Sequence, residues 1–148
     1  MSEADIVAAV VQYSPQLVVV TGGEPSLQLT PSLVEALHDA GRTVAVETNG
    51  TLSLPPNVDW VTLSPKDTWL GAEAAPVLRE ADELKVLFDG IHEPDPYCHI
   101  NVCHRCLQPL DTGDDDRNAV IVKAAVAYCL EHSEWRLSLQ QHKILNIR

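Results

Sequence analysis

The chain has 148 residues, 45% of them hydrophobic and 21% charged, which is enough for one globular domain with its own core. The formal net charge of −11 disfavours nucleic acid and anionic membranes as partners and favours a small-molecule ligand. The sequence has no apolar run as long as a membrane span, and its first residues do not resemble a signal peptide. We therefore expect a cytoplasmic protein whose four cysteines are reduced thiols.

Predicted helices and strands alternate along the whole chain. Helical periodicity, with Ser2 and Thr30 as N-caps of the first two helices, predicts helices over residues 2–11, 30–41, 72–80 and 119–130. Runs rich in β-branched residues predict strands over residues 18–20, 43–46, 58–63, 83–88, 99–107 and 135–139. The alternation predicts an α/β fold in a single domain over residues 1–148, with mostly parallel strands in an open sheet or an incomplete barrel.

Polar side chains follow nearly every predicted strand. The pairs are Thr21 and Glu24, Glu47 and Asn49, Ser64 and Lys66, Gln108 and Asp111, and Gln140 and His142. Any one such pair is no more than a polar loop. Five together favour a ligand site, because the carboxyl ends of parallel strands lie at one edge of a sheet.

The first of these strand ends has a glycine pair. Gly22 and Gly23 follow the apolar run of residues 18–20 and precede Glu24 and Pro25. Glycine permits a sharp turn and lets a ligand approach the backbone closely. Taken alone, the pair is equally typical of a tight turn between a strand and a helix.

Six motifs occur in the order and spacing of the 7-carboxy-7-deazaguanine synthase family, which belongs to the radical S-adenosylmethionine (SAM) superfamily. The chain resembles this family over residues 18–148. The motifs are Thr-Gly-Gly-Glu-Pro at 21–25, Glu-Thr-Asn-Gly at 47–50, Ser-Pro-Lys at 64–66, Glu-Leu-Lys at 83–85, Leu-Gln-Pro at 107–109 and Trp-Arg-Leu-Ser-Leu-Gln-Gln-His-Lys at 135–143. Gly-Gly-Glu-Pro is typical of the superfamily, whereas Ser-Pro-Lys and the last motif are more specific to the family.

The resemblance implies a reaction and its cofactors. The family rearranges 6-carboxy-5,6,7,8-tetrahydropterin to 7-carboxy-7-deazaguanine, in queuosine biosynthesis, with SAM, a 4Fe-4S cluster and Mg²⁺. Carried over by motif, the residues expected to contact SAM are Gly22, Gly23, Glu24, Ser64, Pro65, Lys66, Gln108, Pro109, Leu110 and Asp111. Those expected to hold the pterin are Thr21, His142 and the terminal carboxylate of Arg148.

One part of the family pattern is missing. The family holds its cluster on three cysteines in a loop before the Gly-Gly-Glu-Pro strand and takes a Mg²⁺ ligand just after them, but no cysteine precedes residue 98 here. The sequence therefore resembles the C-terminal two-thirds of such an enzyme, and we expect a truncated or inactive form. We also expect a homodimer, since a sheet that lacks its first strand exposes an edge that can pair with a second chain. A non-catalytic SAM- or pterin-binding protein is the first alternative.

Cys98, Cys103 and Cys106 supply the second alternative, a small metal-binding domain. Their C-x4-C-x2-C spacing resembles a metal site. In a strand, however, Cys103 and Cys106 project from opposite faces. We favour their interpretation as buried or half-buried residues without a metal.

Overall fold

The computed structural model of the protein describes residues 1–145 and residue 147. The chain divides into two compact units, residues 1–82 and residues 83–148. The elements in chain order are α1 (Glu3–Val10), β1 (Leu17–Val20), α2 (Pro31–Asp39), β2 (Thr43–Thr48), β3 (Trp60–Leu63), α3 (Asp67–Leu70), β4 (Glu80–Phe88), β5 (Asn101–Pro109), α4 (Asp115–Glu131), β6 (Trp135–Leu137) and α5 (Gln141–Ile144). Short 3₁₀ turns lie at Pro25–Leu27, Ala72–Ala74 and Asp95–Tyr97.

Six strands form one sheet in the order β1-β2-β3-β4-β5-β6. β1 pairs in parallel with β2, β2 with β3, and β5 with β6. Within the described residues the sheet order does not join β6 back to β1, so the sheet is open. The predicted α/β fold with mostly parallel strands is confirmed, and the open sheet is consistent with an incomplete barrel.

The core cluster of residues 1–82 lies between the strands β1 and β2 and the helices α1 and α2. Leu33, Val34 and Leu37 of α2 are buried against Val44 and Val46 of β2. The side chains of Ile6, Val7 and Val10 place α1 against the same cluster. Both helices begin as predicted: Ser2 and Asp5 form a capping box, and Thr30 accepts a hydrogen bond from the Leu33 amide. The helices therefore cover one face of this part of the sheet.

The core of residues 83–148 forms where α4 packs on β5 and β6. Ile121 and Ala125 are the buried residues of α4, and Leu107 and Trp135 are the buried residues of the two strands. Phe88 and Trp135 both contact the ring of Tyr128 in α4. This packing fixes the end of β5, where Gln108 and Pro109 lie.

The predicted helix over residues 72–80 is wrong. Ala75 is extended, with φ −64° and ψ 135°, because the following Pro76 disfavours a helical residue before it. Glu80 then already belongs to β4. The helix-forming residues of this stretch thus make only a single 3₁₀ turn.

Other boundaries differ by a few residues. The last large helix begins at Asp115 rather than 119, because Asp114 accepts a hydrogen bond from the Arg117 amide and so caps it four residues earlier. β6 ends at Leu137 rather than 139. The four-residue helices α3 and α5 were not predicted. In the described part of the chain, no helix is long and apolar enough to cross a membrane.

Candidate functional site

The glycine turn after β1 has backbone angles that favour glycine. The φ angles of Gly22 and Gly23 are +91° and +40°, in the left-handed region. A Cβ built at either position would meet no atom within 4 Å. The requirement for glycine here is therefore conformational, and the backbone of the turn borders open space that a ligand can enter.

The carboxylate of Glu24 joins this turn to the end of β2. Its Oε1 accepts hydrogen bonds from the Ser26 amide at 3.0 Å, the Ser26 hydroxyl at 2.6 Å and the Thr48 hydroxyl at 2.7 Å. Its Oε2 accepts one from the Asn49 amide at 2.8 Å. Since a carboxylate oxygen accepts two hydrogen bonds readily, Oε2 keeps capacity for a further donor.

These hydrogen bonds keep Glu24 ionised. Burial opposes the charged form, but the donors from Ser26, Thr48 and Asn49 outweigh it and hold the pKa of Glu24 below its ordinary value. At neutral pH the turn therefore carries a fixed negative charge beside the glycine pair.

The loop after β2 depends on a further glycine. Gly50 has φ +78°, and a Cβ at this position would lie 2.3 Å from Cδ1 of Leu63 and 3.1 Å from Cβ of Pro76. Its amide donates to the hydroxyl of Thr48 at 2.9 Å. Thr48 itself is only 3% exposed. The backbone of Gly50 thus passes too close to β3 for any side chain.

Ser64, Pro65 and Lys66 follow β3. The Ser64 amide donates to the Thr48 carbonyl at 2.8 Å, which places this strand end next to that of β2. The Lys66 ammonium donates to the Ser64 hydroxyl at 2.7 Å. The Lys66 carbonyl accepts from the amides of Trp69 and Leu70, the last two residues of α3. Within residues 1–82, the predicted residues at the three strand ends therefore do come together.

A second cluster forms within residues 83–148. Leu107 is fully buried, and Gln108 and Pro109 are half-buried. Beyond them a cleft of about 320 Å³ opens at the end of β5. Its lining is mainly apolar from Pro109, Leu110, Val122 and Leu139, with Asp111, Asp115, Asn118, Gln140 and Lys143 as its polar groups.

Asp111 lies at the mouth of this cleft. Its Oδ2 pairs with the Lys143 ammonium at 2.5 Å, and its Oδ1 accepts from the Gly113 amide and the Asn118 side chain. The hydrogen bond and charge of Lys143, with the Gly113 and Asn118 donors, lower the pKa of Asp111 to about 2. His142, in α5, is exposed beside Lys143. The predicted carboxylate of Arg148 lies outside the described residues.

The cysteines do not form a cluster site. Cys98 and Cys103 are exposed, so the prediction that they are buried or half-buried is wrong, whereas Cys106 is half-buried as predicted. Burial, together with the neighbouring Glu83, raises the pKa of Cys106 to about 11, so that its thiol stays protonated at neutral pH. Among residues 1–145 and 147, no three His, Cys, Asp or Glu side chains are grouped to hold a metal ion.

The sequence analysis missed Ser26 and Thr48, which hold Glu24 in place. The Ser26 contact is local, two residues from Glu24, whereas the Thr48 contact depends on the fold, since Thr48 is 24 residues from Glu24 in sequence. The one available signal for Thr48 is a polar β-branched residue shortly after the apolar run of residues 44–46, which is buried. It indicates that the hydroxyl needs a partner, but not which one.

Fold and site together define an α/β protein with polar residues at the ends of parallel strands. Relatives named 7-carboxy-7-deazaguanine synthase include one from Bordetella pertussis, 44% identical over 147 residues that make up 97% of this chain and 66% of the relative. Another, from Bacteroides thetaiotaomicron, is 38% identical over 100% of this chain and 74% of its own length. The chain belongs to the 7-carboxy-7-deazaguanine synthase family.

A solved structure agrees with this assignment. The crystal structure of QueE from Escherichia coli aligns with a TM-score of 0.68 and 28% identity, over 95% of this chain and 64% of that one. No protein-family model matches the chain. The chain spans roughly two thirds of the length of the relatives it matches, with values of 66% and 74% for the two enzymes and 64% for QueE.

Proposed function

We propose that this chain supplies SAM-binding and pterin-binding surfaces of a 7-carboxy-7-deazaguanine synthase, a radical SAM lyase of queuosine biosynthesis. The enzyme rearranges 6-carboxy-5,6,7,8-tetrahydropterin to 7-carboxy-7-deazaguanine. The observation that carries the proposal is the ionised Glu24 beside the glycine turn, held by Ser26, Thr48 and Asn49, in a chain 38–44% identical to enzymes of that name.

The residues present fit SAM. Glu24 supplies a negative charge with remaining acceptor capacity for the SAM ammonium, next to the open backbone of Gly22 and Gly23. Ser64, Pro65 and Lys66 continue this surface within residues 1–82. Within residues 83–148, Pro109, Leu110 and Asp111, which directly follow Gln108, line an apolar cleft with a polar rim, which suits a flat heterocycle. SAM itself supplies the reactive carbon–sulfur bond.

The described residues do not fit the other two implied groups, the 4Fe-4S cluster and Mg²⁺. A cluster needs three or four thiolates converging on one point. Cys103 and Cys106 lie three residues apart on β5, where side chains alternate between faces, and among the described residues no three His, Cys, Asp or Glu side chains are grouped to hold a metal ion. We therefore assign no step of the reaction to these groups on this chain.

For the pterin, we propose Thr21 and His142 as contacts. Thr21 directly follows β1, and the exposed imidazole of His142 lies beyond β6 in α5. Hydroxyl and imidazole groups can each donate to and accept from the ring nitrogens and carboxylate of a 6-carboxypterin. The family motif supports both residues, and Arg148 remains a prediction from that motif alone.

We propose that two copies pair along the open edge of β1. β1 is entirely apolar, and its Leu17 and Val19 side chains are 55% and 49% exposed. They border a groove of about 350 Å³ with Ala45 and Trp60. α1 packs beside α2 on the helix layer of this unit. A strand from a second copy can supply the ladder hydrogen bonds that a helix cannot.

We also place the protein in the cytoplasm. All four cysteines are free thiols, as in proteins kept in a reducing compartment. The high negative charge argues against direct contact with nucleic acid, which leaves the pterin and SAM as the partners.

Calorimetry with SAM tests the proposal, using Glu24→Gln and, as a matched control, Glu35→Gln on the exposed surface of α2. We expect the wild type and Glu35→Gln to bind alike. We expect Glu24→Gln to bind at least about tenfold more weakly, because it loses a charge-assisted hydrogen bond. Absence of SAM binding by the wild type, or equal binding by Glu24→Gln, would overturn it.

A second candidate is a binding protein that retains the SAM and pterin surfaces without generating a radical. Among the described residues the four cysteines form no metal-binding group, which favours the binding protein for this chain by itself. The two candidates separate in an assay for 5′-deoxyadenosine after anaerobic reconstitution with iron and sulfide. Clear reductive cleavage of SAM supports the enzyme, whereas SAM binding without cleavage supports the binding protein.

A further inference from the structure

The short helix α5 has little of its own to hold it in place. It contains four residues and has no side-chain hydrogen bond at its N-cap. Gln141, His142 and Lys143 are all exposed. A single helical turn is unstable in water by itself, so contacts with the rest of its unit must fix its position.

Lys143 makes such a contact. Its ammonium pairs with Oδ2 of Asp111, 32 residues earlier in the chain, at 2.5 Å. The other oxygen of Asp111 accepts from the side chain of Asn118, in the first turns of α4. Asn118 in turn accepts from the amide and hydroxyl of Thr112. The ion pair thus ties α5 to a loop that is itself tied to α4.

The negative charge around Asp111 favours a cation, such as Lys143, opposite its carboxylate. Residues 111–116 include four aspartates, and Asp115 lines the same cleft as Asp111. Asp114 is occupied as the cap of α4, where it accepts from the Arg117 amide. A cation opposite Asp111 offsets the repulsion among these carboxylates, and the long lysine side chain reaches across the cleft mouth.

We propose that Lys143 is a positioning residue, whose ion pair with Asp111 holds the segment carrying His142 at the carboxyl end of β5 before any ligand binds. The proposal rests on the proposed function for the substrate-side role of His142. It also gives Asp111 a second role. The carboxylate that borders the proposed SAM cleft also holds α5, the helix that carries the proposed pterin contact His142. The two ligand surfaces of this unit then share one ion pair.

The test compares Lys143→Met with Lys143→Arg, which keeps the charge, and with Lys123→Met, the same substitution on the exposed face of α4. Amide hydrogen exchange is measured over residues 140–145 of the ligand-free full chain. We expect Lys143→Met and Asp111→Asn to accelerate this exchange by about three- to fivefold, as befits an exposed ion pair. Lys143→Arg and Lys123→Met should leave it near the wild-type rate. The exchanged pair Asp111→Lys with Lys143→Asp should restore part of the protection.

Ligand binding to the same variants is measured as well, because a purely structural role of Lys143 would leave the affinity for 6-carboxypterin unchanged. Lys143→Met should weaken 6-carboxypterin binding severalfold, whereas Lys143→Arg and Lys123→Met should leave it near the wild-type value. Unchanged exchange over residues 140–145, or equal loss with Lys123→Met, would overturn the positioning role. If the wild type binds neither ligand while exchange responds as expected, the proposed function fails and only the ion-pair contact survives, without its functional role.

Discussion

The hydroxyl of Thr48 donates to Oε1 of Glu24 at 2.7 Å and accepts from the amide of Gly50 at 2.9 Å. One buried side chain therefore joins the glycine turn after β1 to the loop after β2. Both strand ends depend on it, because Glu24 also binds the Asn49 amide. The position of the Glu24 charge is thus set by β2 as much as by its own loop.

Thr48→Val keeps the shape of the side chain but removes its hydroxyl. We expect it to lower the free energy of unfolding by about 1–3 kcal/mol, because the buried Gly50 amide loses its acceptor and Glu24 loses a donor. Thr48→Ser keeps both hydrogen bonds and should cost only about 1 kcal/mol for one methyl group. Urea unfolding measures both variants. If the valine variant proves as stable as the wild type, the hydroxyl has no such role.

Gly50→Ala should be the most damaging glycine substitution in residues 1–82. The new Cβ would lie 2.3 Å from Leu63, at a φ of +78°. We expect a loss of about 2–5 kcal/mol, from a left-handed alanine and from overpacking together. Gly41→Ala is the matched control, since its φ is +72° but its surroundings are open. It should cost only the conformational part, about 1–2 kcal/mol. Equal urea midpoints for the two variants would contradict the close approach of Gly50 to β3.

Acid should weaken the fold through Glu24 and Asp111. Both groups have a pKa below their ordinary values in the folded protein, and that of Asp111 is about 2. Their contribution to stability is therefore complete above the ordinary values of 4.5 and 3.8 and is lost as the pH falls through the folded pKa values. We expect the urea midpoint of unfolding, measured between pH 7 and pH 2, to fall less steeply with decreasing pH in Asp111→Asn and Glu24→Gln than in the wild type. Parallel curves for all three proteins would show that neither pKa is lowered on folding.

The open edge of β1 predicts concentration-dependent pairing. Val19→Lys places a charge on the exposed apolar strand, where it should oppose a second copy without entering the core. Light scattering should give a dimer for the wild type and a monomer for this variant. Val126→Lys, on the exposed surface of α4, is the control and should remain dimeric. A wild type that stays monomeric at high concentration would exclude the dimer.

Local patterns in the sequence were sufficient for the strands and for the first two helix caps. The valine-rich runs specify the strands β1 and β2, although only β2 is largely buried. Ser2 and Thr30 begin the helices that they were expected to begin. Helix-forming residues before β4 misled the prediction, because Pro76 and the pairing of β4 outweigh the helix propensity of alanine. Sequence pattern alone also could not pair Lys143 with Asp111 or Thr48 with Glu24. These contacts arise only when the strand ends are adjacent.

The central claim is that residues 22–24, 64–66 and 108–111 bind SAM and that Thr21 and His142 bind the pterin. An amide nitrogen–proton NMR spectrum of the full chain, titrated first with SAM and then with 6-carboxypterin, tests it most directly. SAM should shift the amides of Gly22, Gly23, Glu24, Ser64, Lys66, Gln108, Leu110 and Asp111, and 6-carboxypterin should then shift those of Thr21 and His142. A spectrum unchanged at saturating ligand, or shifts confined to residues far from these strand ends, would contradict the account.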